Sequence, residues 1–135
     1  MDLMHSLMIS AAGMKVQGER LRVVAENLAN ADSVAEVPGG DPYRRKTISF
    51  KNQLDRELGL ETVQVQKVGE DPSDFRMKYD PGNPAADAKG YVKLPNVNSL
   101  IEMTDMREAQ RSYEANLKAI EVARNMLQRT IDLIR

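Results

Sequence analysis

From Leu3 onward the hydrophobic residues form two interleaved series at seven-residue spacing. One runs Leu7, Met14, Leu21, Leu28, and the other Leu3, Ser10, Gln17, Val24, Ala31. Positions recurring three and four residues apart make a heptad seam, the pattern of a helix packed along one face. Ser10 and Gln17 are its polar interruptions. Gly13 and Gly18 each weaken a helix interior by about 1 kcal/mol relative to Ala, so this helix depends on a partner to stay folded.

A second pattern of the same kind fills the other end. Between Ser99 and Arg135 there is neither Gly nor Pro, and Met103, Met106, Gln110, Tyr113, Leu117, Ile120, Arg124, Leu127, Ile131 and Ile134 recur at helical spacing. One continuous helix is predicted. Ser99 followed by Glu102 reads as a capping box that opens it. Glu102, Asp105 and Glu108 near its start and Arg124, Arg129 and Arg135 near its end suit the helix dipole, and Glu114 with Lys118 adds an i,i+4 pair.

The segment between the helices is different in kind. All six prolines and six of the eight glycines lie within residues 32–98, with short alternating runs at Lys46 to Phe50 and Thr62 to Val68 that predict strands. The expected division is a helix over 1–31, a middle segment over 32–98 and a helix over 99–135. The expected fold is mainly α and elongated. Its long N- and C-terminal helices pair as a coiled coil around an irregular middle segment with a little β structure.

Composition narrows the chemistry. With 135 residues the chain suits a single folded body with extensions. Lys plus Arg count 19 against 20 acids, so the basic surplus that grips a phosphate backbone is missing and nucleic acid is not an expected partner. The absence of Cys excludes disulfides and thiolate metal sites, and His5 is the sole histidine. Apolar runs fall well short of the roughly 20 residues that cross a bilayer, so no membrane insertion is expected. Met1 to Ala12 lacks the basic start and apolar block of a cleaved signal peptide.

Asp80 and Asp87 flank Pro81, Gly82 and Pro84, where turn chemistry accounts for every residue better than a catalytic carboxylate pair. Gly39-Gly40 leads to Asp41-Pro42 rather than into a phosphate-binding helix. Arg44-Arg45-Lys46 reads as a charged edge or as a contact for an acidic neighbouring subunit. No active site, cofactor or metal is expected. What the pattern does predict is assembly: helices of unequal length cover each other only in part, and a middle segment with two Phe, four Tyr and no Trp cannot cover the rest.

Ala25-Glu26-Asn27-Leu28-Ala29-Asn30-Ala31-Asp32-Ser33 resembles the amino-terminal signature of flagellar rod, hook and related axial proteins, although relatives more often carry a small polar residue at Glu26. The run from Tyr79-Asp80-Pro81-Gly82-Asn83-Pro84 to Leu94-Pro95-Asn96-Val97 is similar to the hallmark of the proximal-rod branch, the FlgC family. Arg111-Ser112-Tyr113-Glu114-Ala115-Asn116 matches the carboxy-terminal axial pattern. The resemblance implies a structural subunit of the basal-body rod that is part of the drive shaft and lines an export channel. It implies export through the flagellar type III apparatus, with copies of itself and other rod proteins as partners. An adaptor or export chaperone is the alternative.

On this reading subunit packing falls to Leu7, Met14, Leu21 and Leu28 on the first helix and to Met106, Tyr113, Leu117, Ile120 and Leu127 on the second. Asn27, Asn30 and Asn116 would fix register as buried seam amides, or Asn30 would simply stop a helix. Tyr79 and Tyr91 would anchor an extended arm on an adjacent subunit, or latch it over the protein's own helices.

Overall fold

A computed structural model describes residues 3–134. The order of elements is α1 (Leu3–Ala29), β1 (Lys46–Asp55), β2 (Leu60–Glu70), β3 (Arg76–Tyr79), β4 (Tyr91–Leu94) and α2 (Ser99–Ile134). Long helices at the two ends and two small two-stranded sheets between them give the mainly helical fold that the sequence predicts. Arg135, expected to favour the dipole of α2, lies outside the described residues, as do Met1 and Asp2.

The residues pack as two units. One takes Ile48–Lys67 with the α1 residues up to Leu21 and the α2 residues from Arg107, and buries Ser10, Val16, Leu60, Ala109 and Ala123. The other takes Arg22–Thr47 and Val68–Met106, and buries Val23, Val24, Asn27, Ala31, Ala85, Val92, Val97 and Glu102.

Both predicted strands form, and both are longer than their hydrophobic runs. A turn after Asp55 joins β1 to β2, and so short a connection permits only antiparallel pairing. The Asp55 carboxylate accepts from the N–H groups of Glu57 at 3.0 Å and Leu58 at 3.3 Å, and Gly59 takes φ +62° to complete the turn.

The proline-containing block is a folded hairpin rather than an extended arm. β3 pairs antiparallel with β4, Tyr79 opposite Tyr91 and Arg76 opposite Leu94. Its loop closes around Asp87, whose carboxylate accepts from Lys89 N–H at 2.8 Å and Tyr91 N–H at 2.9 Å. These bonds, that of Tyr91 first, hold the Asp87 carboxyl below the usual carboxylate range. Turn formation is thus what this aspartate does.

Two sequence readings of α2 change. Its cap is Asn98, whose side-chain oxygen accepts from Leu100 N–H at 3.1 Å, and Glu102 takes no part in a capping box because it is turned into the core. The packed face is also rotated by about one residue from the predicted stripe. Glu102, Ala109 and Ala123 are buried and Met106, Tyr113, Asn116 and Ile120 half-buried, while Met103, Gln110, Leu117, Arg124, Leu127 and Ile131 are exposed. Close packing selects small side chains for the centre of a contact and leaves larger ones at its flanks. On α1 the same rule buries Ser10 and Val24, and Ala31 just past its end, while Leu7, Met14, Leu21 and Leu28 are half-buried.

Candidate assembly surface

The end of α1, the start of β1 and the start of α2 meet at one polar cluster within the second unit. Asn27 is 1% exposed and spends its whole amide there. Its nitrogen donates to Lys46 C=O at 2.9 Å and to Glu102 Oε2 at 3.2 Å; its oxygen accepts from Lys46 N–H at 2.8 Å and from the Tyr43 hydroxyl at 2.8 Å. The amide thereby pairs with the Lys46 backbone as a neighbouring strand would, so Asn27 fixes the register of its own chain.

Glu102 is fully buried, and its second oxygen accepts from Arg45 Nε at 2.5 Å. Arg45 also reaches Asp71 at 3.5 Å. Burial alone would lower the Arg45 pKa, but the hydrogen bond and charge of Glu102, joined by Asp71, outweigh it and raise the value. Hydrogen bonds from Ser73, with the Arg45 charge behind them, hold Asp71 below its ordinary value. Tyr43 is pushed up to about 12, first by burial and then by the charges of Glu26, Glu102 and Glu70.

The basic run Arg44-Arg45-Lys46 therefore has its partners inside the chain, not on an acidic neighbour. Lys46 Nζ pairs with Glu26, the residue that departs from the family pattern. Arg44 lies over the Phe75 ring at 4.2 Å and donates to the carbonyls of Asp71 and Ser73. The Arg45–Glu102 pair was hidden in the sequence because Ser99 offered Glu102 a different role. Asn98, an equally good cap one residue earlier, was the signal that Glu102 was free for another.

Asn30 ends α1: its amide nitrogen donates to Glu26 C=O at 2.8 Å and its oxygen accepts from Ser33. In the first unit, half-buried Asn116 donates to Ser112 C=O at 2.9 Å and lies against Gly13. The predicted contact residues thus divide between the two units, and Tyr79 and Tyr91 stand exposed on the β3–β4 hairpin, ring to ring.

A broad apolar surface is left open on the first unit. Val122, Met126, Leu127, Ile131, Leu133 and Ile134 of α2 are all exposed, as are Met4, Met8 and Ile9 of α1. Leu3, Ser6, Lys118, Ala119, Val122, Ala123 and Met126 line an open groove of about 480 Å³ there. So much exposed hydrocarbon on one unit is the signature of a surface made to be covered. Among the described residues no group of three His, Cys, Asp or Glu is placed to hold a metal, and no helix is long and apolar enough to cross a membrane.

Comparison with known proteins agrees with the resemblance. Residues 88–133 match the model of the family described as flagellar basal body rod FlgEFG protein C-terminal. The chain is 57% identical over 127 residues to the flagellar basal-body rod protein FlgC of Agrobacterium fabrum, covering 94% of this chain and 91% of the relative. It is 42% identical over 135 residues to FlgC of Salmonella typhimurium, covering 98% of each, and 39% identical over 148 residues to FlgC of Bacillus subtilis, covering 98% of this chain and 99% of that one.

Proposed function

This chain belongs to the FlgC family of flagellar basal-body rod proteins, and we propose from that premise that it builds the proximal rod through the apolar faces its terminal helices leave uncovered. It is a structural subunit of the flagellar basal body. Its part in the drive shaft is to carry torque by close packing and to contribute to the wall of the export channel, work that requires no catalytic residue. Its neighbours are copies of itself and other rod proteins, and it reaches them through the flagellar type III export apparatus.

The observation that carries this reading is the run of exposed apolar residues from Val122 to Ile134 on α2. Met106, Tyr113, Asn116 and Ile120 are half-buried, while exposed Leu127 lies within that run and exposed Leu117 just before it as contact residues. An adaptor or export chaperone would share paired helices but has no use for the rigid hairpin between Arg76 and Leu94.

Met126→Asp and Ile131→Asp test the proposal because both positions are already open to water in the single chain. Each variant should keep the unfolding midpoint of the monomer and be exported, yet be missing from purified basal bodies, with swimming lost. Incorporation and swimming at the wild-type level with both substitutions present would refute it.

A further inference from the structure

One edge of β2 has no partner. Among the described residues β2 pairs with β1 alone, so the backbone N–H and C=O groups along its other side are unanswered. An open cleft of about 440 Å³ lies between residues 62–65 of β2 and the face of α1 that carries Ala12, Val16 and Glu19, with Gln53 beside Thr62. Successive side chains of a strand point to opposite faces, so a cleft lined by four consecutive residues runs along the edge of the strand.

Edge strands are usually guarded by a charge or a proline in mid-strand. Residues 62–66, Thr-Val-Gln-Val-Gln, have neither, and the first charges on either side are of opposite sign, Glu61 and Lys67. Both are exposed, and neither has an ion-pair partner among the described residues. Two such strands paired antiparallel about Gln64 set Glu61 of each opposite Lys67 of the other, Val63 opposite Val65, and Thr62 opposite Gln66. Directly opposed residues share a face, so the ion pairs and the valines fall on one side of the sheet and the amides on the other. Centring the pair on Val63 or Val65 instead puts Gly59 or Val63 opposite Lys67, and the charge match is lost. β1 offers no equivalent edge. Its Lys46 pairs with Glu26, and its one acid, Asp55, accepts from the turn N–H groups of Glu57 and Leu58.

We infer that β2 is a self-association edge, at which two copies join about Gln64 into one continuous sheet of order β1–β2–β2–β1 across a two-fold axis. The self-matching charges and the register they impose select a second copy as the occupant. A two-fold contact closes on itself, whereas a rod grows through contacts that propagate. The pair is therefore a state of the protein before incorporation, and it covers a strand edge that would otherwise template aggregation. The pairing uses a surface other than the apolar helix faces and does not depend on the rod reading.

Full-length protein carrying Met126→Asp and Ile131→Asp, which remove association through the helix faces, tests the inference by sedimentation equilibrium. A monomer–dimer equilibrium is expected. Glu61→Lys sets like charges opposite each other at both ends of the pair and should weaken it about tenfold, and adding Lys67→Glu in the same chain should restore it. The chain has no cysteine, so Gln64→Cys can be oxidised without background and should cross-link to a dimer well before Val37→Cys, which is also open to water, does so. A chain that stays monomeric up to its solubility limit, a dimer indifferent to Glu61→Lys, or cross-linking of Gln64→Cys no faster than that of Val37→Cys overturns the inference. An open-ended series of oligomers overturns it as well, since β2 would then meet β1 of the next copy. The rod reading is measured separately, by incorporation into basal bodies, and none of these outcomes alters it.

Discussion

Gly13 and Asn116 are in contact where α1 and α2 pack in the first unit, and the fit has no room for one more carbon. A Cβ on Gly13 would lie 2.8 Å from Asn116 Nδ2 and 3.1 Å from its Cγ, while the amide is held by its bond to Ser112 C=O. Gly18, one and a half turns later on the same helix, has nothing within 4 Å.

The two glycines should therefore respond oppositely to alanine. Gly18→Ala should raise stability by up to about 1 kcal/mol through helix propensity alone. Gly13→Ala gains the same propensity but must push Asn116 aside, and should lower stability by about 1 kcal/mol or more. Urea midpoints of the monomer measure both. In an Asn116→Ala background the cost at Gly13 should largely vanish, and a cost that persists would place the tight spot elsewhere.

Arg45→Met should be among the most damaging single changes. It strands the buried Glu102 carboxylate, at a cost of about 3 kcal/mol or more. Glu102→Gln keeps a hydrogen-bonding group of the same shape and should be milder, and the double variant Arg45→Met, Glu102→Leu should recover much of the loss, since no charge is then left unpaired. Denaturation with amide exchange at residues 22–47 and 68–106 would show whether the loss is confined to the second unit.

Tyr43 makes stability sensitive to alkali. Its pKa is raised from 10.0 to about 12 in the folded chain, so its contribution is complete below pH 10 and is lost as pH rises through 12. Tyr43→Phe should remove that part of the alkaline loss while weakening the protein at neutral pH through the missing bond to Asn27. Phenolate absorbance followed alongside circular dichroism separates the two effects.

Asp87 works in the other direction. Its pKa is depressed below 3.8, so the order it gives the hairpin loop is present above that value and is lost as pH falls through the lower, folded one. Asp87→Ala should increase amide exchange at Lys89 and Tyr91 at neutral pH, and wild type should approach that behaviour in acid. Equal protection in the variant and wild type would mean the backbone holds the loop unaided.

What the sequence determined by itself is local. The helices, their approximate limits and the first two strands follow from periodicity and from where Pro and Gly are excluded, because helix and strand preferences are set over a few neighbouring residues, whereas the β3–β4 hairpin was not read from them. Asn30 as a helix stop and Asp87 as a turn residue were legible for the same reason, each bonding to backbone within four positions. Only the tertiary structure decided which face of α2 is packed, that Asn27 and Glu102 share a site across 75 positions of sequence, and that Arg45 pairs with the buried Glu102 carboxylate of its own chain. A hydrophobic stripe selects a side of a helix but not the rotation at which small residues such as Ala109 let another helix approach. A buried charge, likewise, takes its partner from whatever the chain brings within 4 Å, a distance that spacing along the sequence does not encode.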